Sequence, residues 1–99
     1  MNNLNLTVNS RYSAAVKLIT DEQQKVIGKE IAMKLAKSVD GIVIRNNLIE
    51  VTGDPKNVLH ELVKEYAKLF GQISVEVSKD ALKKLNPPLS TNELPDNLK

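Results

Sequence analysis

Apolar and polar residues along the chain alternate with two different periods, one typical of helices and one typical of strands. In the first clear segment, apolar positions recur every four residues, which predicts an amphipathic helix from about Asp21 to Ser38. Thr20 suits an N-cap, Gln23 follows as in a capping box, and Gly41 stands just beyond the end. The apolar positions are Ile27, Ile31, Ala32, Leu35, Ala36 and Val39.

Two short β-branched runs follow and predict a β-hairpin. Residues 41–45 and 48–52 are separated by Asn46 and Asn47, and asparagine tolerates the positive φ that a two-residue type I′ turn requires. A turn of this length fixes the register and pairs Arg45 with Leu48. One face then carries Ile42, Ile44, Ile49 and Val51, and the other carries Val43, Arg45, Leu48 and Glu50. We expect the first face to pack against the helices.

A second helix begins with strong local signals. Asp54 is a suitable N-cap and Pro55 suits the first helical position, while Gly71 predicts the end. The apolar stripe between them comprises Val58, Leu59, Leu62, Val63, Tyr66, Leu69 and Phe70. Beyond Gly71, the residues from Ile73 to Ser78 alternate between apolar and polar, which predicts a half-buried strand.

The segment before the first helix decides the fold class. In residues 13–19, Val16 and Leu18 flank Lys17, which favours a strand, although Ala14 and Ala15 leave an extra helical turn as the alternative. With a strand here, the order is β-α-β-β-α-β. The sequence therefore predicts an α+β, ferredoxin-like sandwich, in which two helices cover one face of a four-stranded antiparallel sheet.

This fold divides the chain into three parts. Residues 1–12 are expected to form an N-terminal arm or an extra edge strand, and residues 13–85 a single domain. Residues 86–99 contain three prolines and are expected to be an extended or disordered tail.

Composition excludes several kinds of site. The 99 residues include no cysteine and one histidine, which argues against disulfides, zinc ribbons and thiol chemistry. No apolar run approaches the roughly 18–20 residues needed to span a bilayer. We therefore expect a cytoplasmic protein with no membrane contact, no cofactor and no metal.

Few residues suggest chemistry. His60 has no second histidine or obvious acid–base partner, so we expect a surface role, and we name no catalytic residue. Asp21 and Asp40 are the acids on which the least supported hypothesis, a small acid-dependent enzyme, would depend. The outer sheet face lacks aromatic side chains on which RNA bases stack, so an RNA-binding sheet is not expected.

Two functional hypotheses remain. The first is a non-catalytic interaction or assembly module that binds a protein partner or forms a homodimer through an exposed sheet edge. The residues of that edge are Ile42, Val43, Ile44 and Arg45. The alternative is a weak nucleic-acid-binding accessory protein, since the net charge is +2 and basic residues cluster near one helix end. The candidate phosphate contacts are Lys79, Lys83 and Lys84.

Overall fold

The fold consists of helices that pack around the first helix, with one β-hairpin between the second and third. The computed structural model describes the backbone of residues 3–46 and 48–99, and the side chains from Ser10 onward except that of Asn47. Within these ranges, the helices are α1 (Asn3–Ile27), α2 (Lys29–Lys37), α3 (Pro55–Phe70) and α4 (Gln72–Leu82). The strands are β1 (Ile42–Arg45) and β2 (Leu48–Val51), and a 3-10 turn spans Asp96–Leu98.

Helical periodicity explains why α1 is helical where a strand was expected. The buried positions of α1 recur three or four residues apart, which places them on one side of a helix. They are Tyr12, Ala15, Val16, Ile19, Thr20 and Gln23. The prediction of a strand over residues 13–19 is therefore wrong, and Thr20 lies inside the helix and does not cap it. Residues 3–12 also belong to α1, while residues 1 and 2 lie outside the described residues.

The segment after Gly71 is also a helix, α4, where a strand was expected. Its buried residues lie on one helical face, which packs on α1 and α3. They are Ser74, Ser78, Ala81 and Leu82. Local alternation favoured a strand, but it put Ile73 on the expected buried side, and that side chain is exposed. Packing has overridden the local β-propensity.

These two differences overturn the fold class. Neither the first nor the fourth strand of the expected four-stranded sheet is present, and in the described ranges the sheet consists of β1 and β2 alone. The chain is therefore not a ferredoxin-like α+β sandwich. Two helices of that prediction do fall within helical segments, although the first is divided by Gly28 into the end of α1 and the whole of α2.

The hairpin has the expected register. The antiparallel pairs are Ile42 with Val51, Val43 with Glu50, Ile44 with Ile49, and Arg45 with Leu48. The face of Ile42 and Val51 is buried in the core, which confirms the predicted inward face. Asn46 has a φ of 55°, as a residue of the expected turn requires, while Asn47 lies outside the described residues.

The start of α3 is also as expected. The Asp54 carboxylate accepts hydrogen bonds from the backbone N–H groups of Lys56 and Asn57, at 3.2 and 3.5 Å. The first five apolar residues of the predicted stripe are buried, and the last two, Leu69 and Phe70, are exposed.

Residues 86–99 pack on the helices, whereas an extended or disordered tail was expected. The Tyr12 hydroxyl donates a hydrogen bond to the Glu93 carbonyl at 2.8 Å, and the Asn97 amide donates to the His60 carbonyl at 3.0 Å. Leu89 and Leu98 are buried in the core. These contacts close the end of the molecule that also carries the hairpin. Within the described ranges, no helix has the length and apolar character needed to cross a membrane.

Candidate interaction surface

Contacts between α1 and α4 show that the two helices run in opposite directions. The Gln23 side chain contacts Ser74 and Ser78 in α4. Just beyond the end of α4, Lys84 forms an ion pair with Glu22. Beyond α4, the carbonyl groups near residue 87 meet Arg11, towards the start of α1. The end of α1 and the start of α4 therefore lie at the same end of the bundle.

The second and third helices are antiparallel as well. The Tyr66 hydroxyl donates a hydrogen bond to the Ala32 carbonyl at 2.8 Å. At the other end, Gly41 lies against Val58. The start of α2 is thus beside the end of α3. Because α1 leads into α2 through Gly28, and α3 into α4 through Gly71, both of these corners lie at one end of the molecule.

That end exposes a group of large apolar side chains, which we call the corner patch. Its members are Val26, Ile31, Leu69, Phe70 and Ile73. Each has between 39% and 67% of its surface exposed. In the described part of the chain, only one other large apolar side chain is exposed to this degree, Leu48 at the hairpin end. Single exposed apolar residues are ordinary, whereas a group at one end of a small protein is typical of a contact surface.

The charges that border the corner patch are nearly balanced. Lys25 forms an ion pair with Glu22 at 3.1 Å, and Lys68 forms one with Glu65 at 2.8 Å. Hydrogen bonds from Lys84 and Lys25 lower the pKa of the Glu22 carboxyl. A hydrogen bond from Lys68 likewise lowers the pKa of Glu65. These neighbouring cations are therefore largely neutralised.

The outer face of α2 carries three lysines without an acidic partner in the described part of the chain. Lys29, Lys34 and Lys37 make no ion pair with the described residues. They line a shallow groove together with Glu30 and Met33. Glu30 has no ion-pair partner in this part of the structure either. This face therefore carries one negative and three positive charges.

The structure does not place the expected self-association residues together on a free edge. Ile42 is buried against the core, and Val43 and Ile44 are partly buried, so Arg45 alone is fully exposed. The Ile42 N–H donates to the Val39 carbonyl at 3.2 Å, so the chain itself occupies part of that edge.

The expected phosphate contacts lie close together at the end of α4, but each has an acidic partner. Lys79 is 3.9 Å from Glu76, Lys83 is 3.2 Å from Asp80, and Lys84 pairs with Glu22. Phosphate binding there would compete with three existing ion pairs.

The remaining candidate residues are separated from one another. His60 lies 3.9 Å from Glu61 and lines a small surface pocket with Asp54 and Asp96. Asp21 pairs with Lys17 at 3.0 Å, and Asp40 lies in a different pocket beside α3. Among the residues that the structure describes, no group of three or more His, Cys, Asp or Glu side chains has the arrangement of a metal site.

The sequence did not predict the corner patch, because most of its members were expected on buried faces. Leu69 and Phe70 were expected in the buried stripe of α3, and Ile73 in the buried face of a strand. Gly71 was an available signal. It lies between Phe70 and Ile73, and side chains next to a sharp turn between two helices point away from the packed faces of both.

Comparison of the chain with protein-family models, with curated proteins and with solved structures gives no match.

Proposed function

We propose that this protein is a non-catalytic assembly module that self-associates through the corner patch. The observation that carries the proposal is the concentration of exposed apolar side chains at one end of the bundle. Burying that surface against another chain removes apolar area from water, which is the main favourable term in most protein association.

A second copy of the chain is the partner that the charges favour. The cations at Lys25 and Lys68 already have partners in the same chain. Lys29 and Glu30 are neighbours of opposite sign, and neither forms an ion pair within the described residues. In a two-fold interface each surface meets its own copy, so these charges would pair reciprocally across the axis. An acidic partner or an anionic membrane would instead place like charge against Glu30, which Lys29 of a second copy can neutralise.

We expect Leu69→Lys to abolish self-association and Leu48→Lys to leave it unchanged. The two leucines are 58% and 65% exposed, so neither substitution places a charge in the core. Leu69 belongs to the corner patch and Leu48 lies at the hairpin end, which makes the second variant a matched control. The measurement is the molar mass by light scattering over a series of protein concentrations, with circular dichroism to verify folding.

Three outcomes would contradict this proposal. One is a wild-type molar mass equal to that of the monomer at the highest soluble concentration. Another is an equal loss of association in both variants, which would indicate a general effect of added charge. Dissociation of Leu48→Lys alone would move the interface to the hairpin end and reject the corner patch.

The unpaired lysines of α2 favour a second candidate function, weak binding of nucleic acid. If it is correct, replacing Lys34 and Lys37 by glutamine will weaken binding to duplex DNA of random sequence and will reduce its dependence on salt. Replacing Lys79 and Lys83 by glutamine is the control, because those lysines already have acidic partners. Fluorescence anisotropy at about 50 mM salt is the measurement, and an absence of wild-type binding there would reject this function.

A further inference from the structure

Helix α4 packs on the bundle with an unusual distribution of polar and apolar groups. Ser74 and Ser78 are completely buried, whereas Ile73 is 67% exposed. The buried apolar residues of α4, Ala81 and Leu82, lie in its last turn. In the first two turns, Val75 packs partly buried against the core, and the two fully buried residues are polar.

The polar contacts of Ser74 and Ser78 centre on Gln23. Its side chain is fully buried, and its amide donates hydrogen bonds to the Ser74 carbonyl at 3.0 Å and to the Ser78 hydroxyl at 3.2 Å. The Ser78 hydroxyl in turn donates to the Ser74 carbonyl at 2.8 Å. The Gln23 Oε1 and Ser74 Oγ atoms are buried and have no hydrogen-bond partner among the described residues. A buried polar atom without a partner costs free energy that detachment would recover in water.

We infer that α4 detaches from the bundle before α3 does, that Gly71 is its pivot, and that Gln23 is the residue that holds it in place. Gly71 is the single residue between α3 and α4, and its N–H donates to the Ala67 carbonyl at 2.7 Å, so the end of α3 keeps its own cap. Helix α3 buries five apolar or aromatic residues, from Val58 to Tyr66. Local opening follows the elements with few buried apolar contacts, and α4 has far fewer than α3.

Detachment of α4 bears directly on the corner patch, and this step depends on the proposed self-association. Leu69 and Phe70 belong to α3 and Ile73 belongs to α4, so the patch is complete only while α4 is docked. Docking of α4 and self-association require the same conformation, so each stabilises the other. Association then protects α4, and loss of the Gln23 contact weakens association without any change in the surface residues.

Hydrogen exchange read by mass spectrometry tests the inference. In dilute wild-type protein, we expect the amides of residues 75–82 to exchange faster than the protected amides of residues 59–67. Gln23→Met keeps the side-chain length and removes both hydrogen bonds, so exchange in α4 becomes about tenfold faster while α3 is unchanged. Gln24→Met is the matched control, since the neighbouring glutamine is only partly buried, and it leaves both helices unchanged.

A triple variant separates the polar contact from the size of the side chain. Gln23→Met combined with Ser74→Ala and Ser78→Ala replaces all three polar groups by apolar ones, so no buried hydroxyl is left unpaired. We expect this variant to exchange in α4 no faster than the wild type. Equal exchange of α3 and α4 in the wild type, or equal acceleration of both by Gln23→Met, would overturn the inference.

The two proposals fail in different measurements. If light scattering gives a monomer at every concentration, self-association is rejected, and the exchange of α4 relative to α3 still tests the pivot. If α3 and α4 exchange together while the protein dimerises, the pivot is rejected and the interface remains.

Discussion

Replacing Gly41 by alanine is expected to lower the free energy of unfolding by roughly 3–5 kcal/mol. Gly41 has a φ of 97°, which strains a residue that carries a Cβ. A Cβ there would also lie 2.6 Å from Val58 Cγ2 and 2.7 Å from the Thr52 carbonyl oxygen. The oxygen belongs to the backbone of the hairpin, and its residue donates its N–H to the Gly41 carbonyl at 2.8 Å, so relief requires moving the hairpin from α3.

Gly53→Ala provides the control for this substitution. Gly53 also has a positive φ, of 76°, but nothing lies within 4 Å of the position of a Cβ. In Gly53→Ala, the free energy of unfolding should fall only by the cost of the strained backbone conformation, about 1–2 kcal/mol. Urea unfolding of both variants measures the difference. A loss at Gly41 no larger than the loss at Gly53 would contradict the close approach of the hairpin to α3.

Raising the pH from 10 to 12 is expected to destabilise the protein through Tyr66. Burial raises the pKa of its hydroxyl to about 12, from the ordinary value of 10.0. In this range the unfolded chain has released the proton and the folded protein still holds it, so ionisation favours the unfolded state. A two-unit difference corresponds to roughly 2–3 kcal/mol of stability, present below pH 10 and lost by about pH 12.

Tyr66→Phe separates this effect from general alkaline denaturation. The variant loses the hydrogen bond to the Ala32 carbonyl. Its free energy of unfolding at neutral pH should therefore be about 1 kcal/mol lower. Its stability should then fall less steeply than that of the wild type above pH 10. Tyr12 contributes a smaller fall that both proteins share, since partial burial and Glu93 raise its pKa. Parallel pH dependences of the two proteins would show that Tyr66 is not the group responsible.

The elements that the sequence predicts correctly are those whose signals lie within a few residues. The hairpin register follows from the length of the turn, and the start of α3 follows from Asp54 and Pro55. Both depend on local backbone geometry, which neighbouring residues determine. No knowledge of the rest of the fold was needed for either.

The errors concern segments in which local pattern and final packing disagree. Residues 13–19 alternate over a short window, but the helical spacing of Tyr12, Val16 and Ile19 continues to Gln23 and becomes visible only over a longer one. In α4, two of the four buried residues are serines, which no scale of hydrophobicity would select. Gln23 explains that choice, since it supplies hydrogen bonds to Ser74 and Ser78 from 51 and 55 residues away in sequence.

The candidate surface was less predictable than the fold. Exposure of Leu69 and Phe70 depends on where α3 ends relative to α2, and of Ile73 on which face α4 turns inward. Neither is determined by residues adjacent in sequence. The ion pair between Lys84 and Glu22 was also not predictable from neighbouring residues. It neutralises a lysine that the sequence placed in an unpaired basic cluster.

The corner between α3 and α4 requires a backbone conformation that L-amino acids disfavour. Gly71 has a φ of 62° and a ψ of −145°, which is the mirror image of the polyproline II conformation. D-alanine occupies that region without strain, so a chemically synthesised chain with D-alanine at this position should keep the corner and have fewer unfolded conformations to lose on folding. Among the genetically encoded residues, only the achiral one forms this corner without strain.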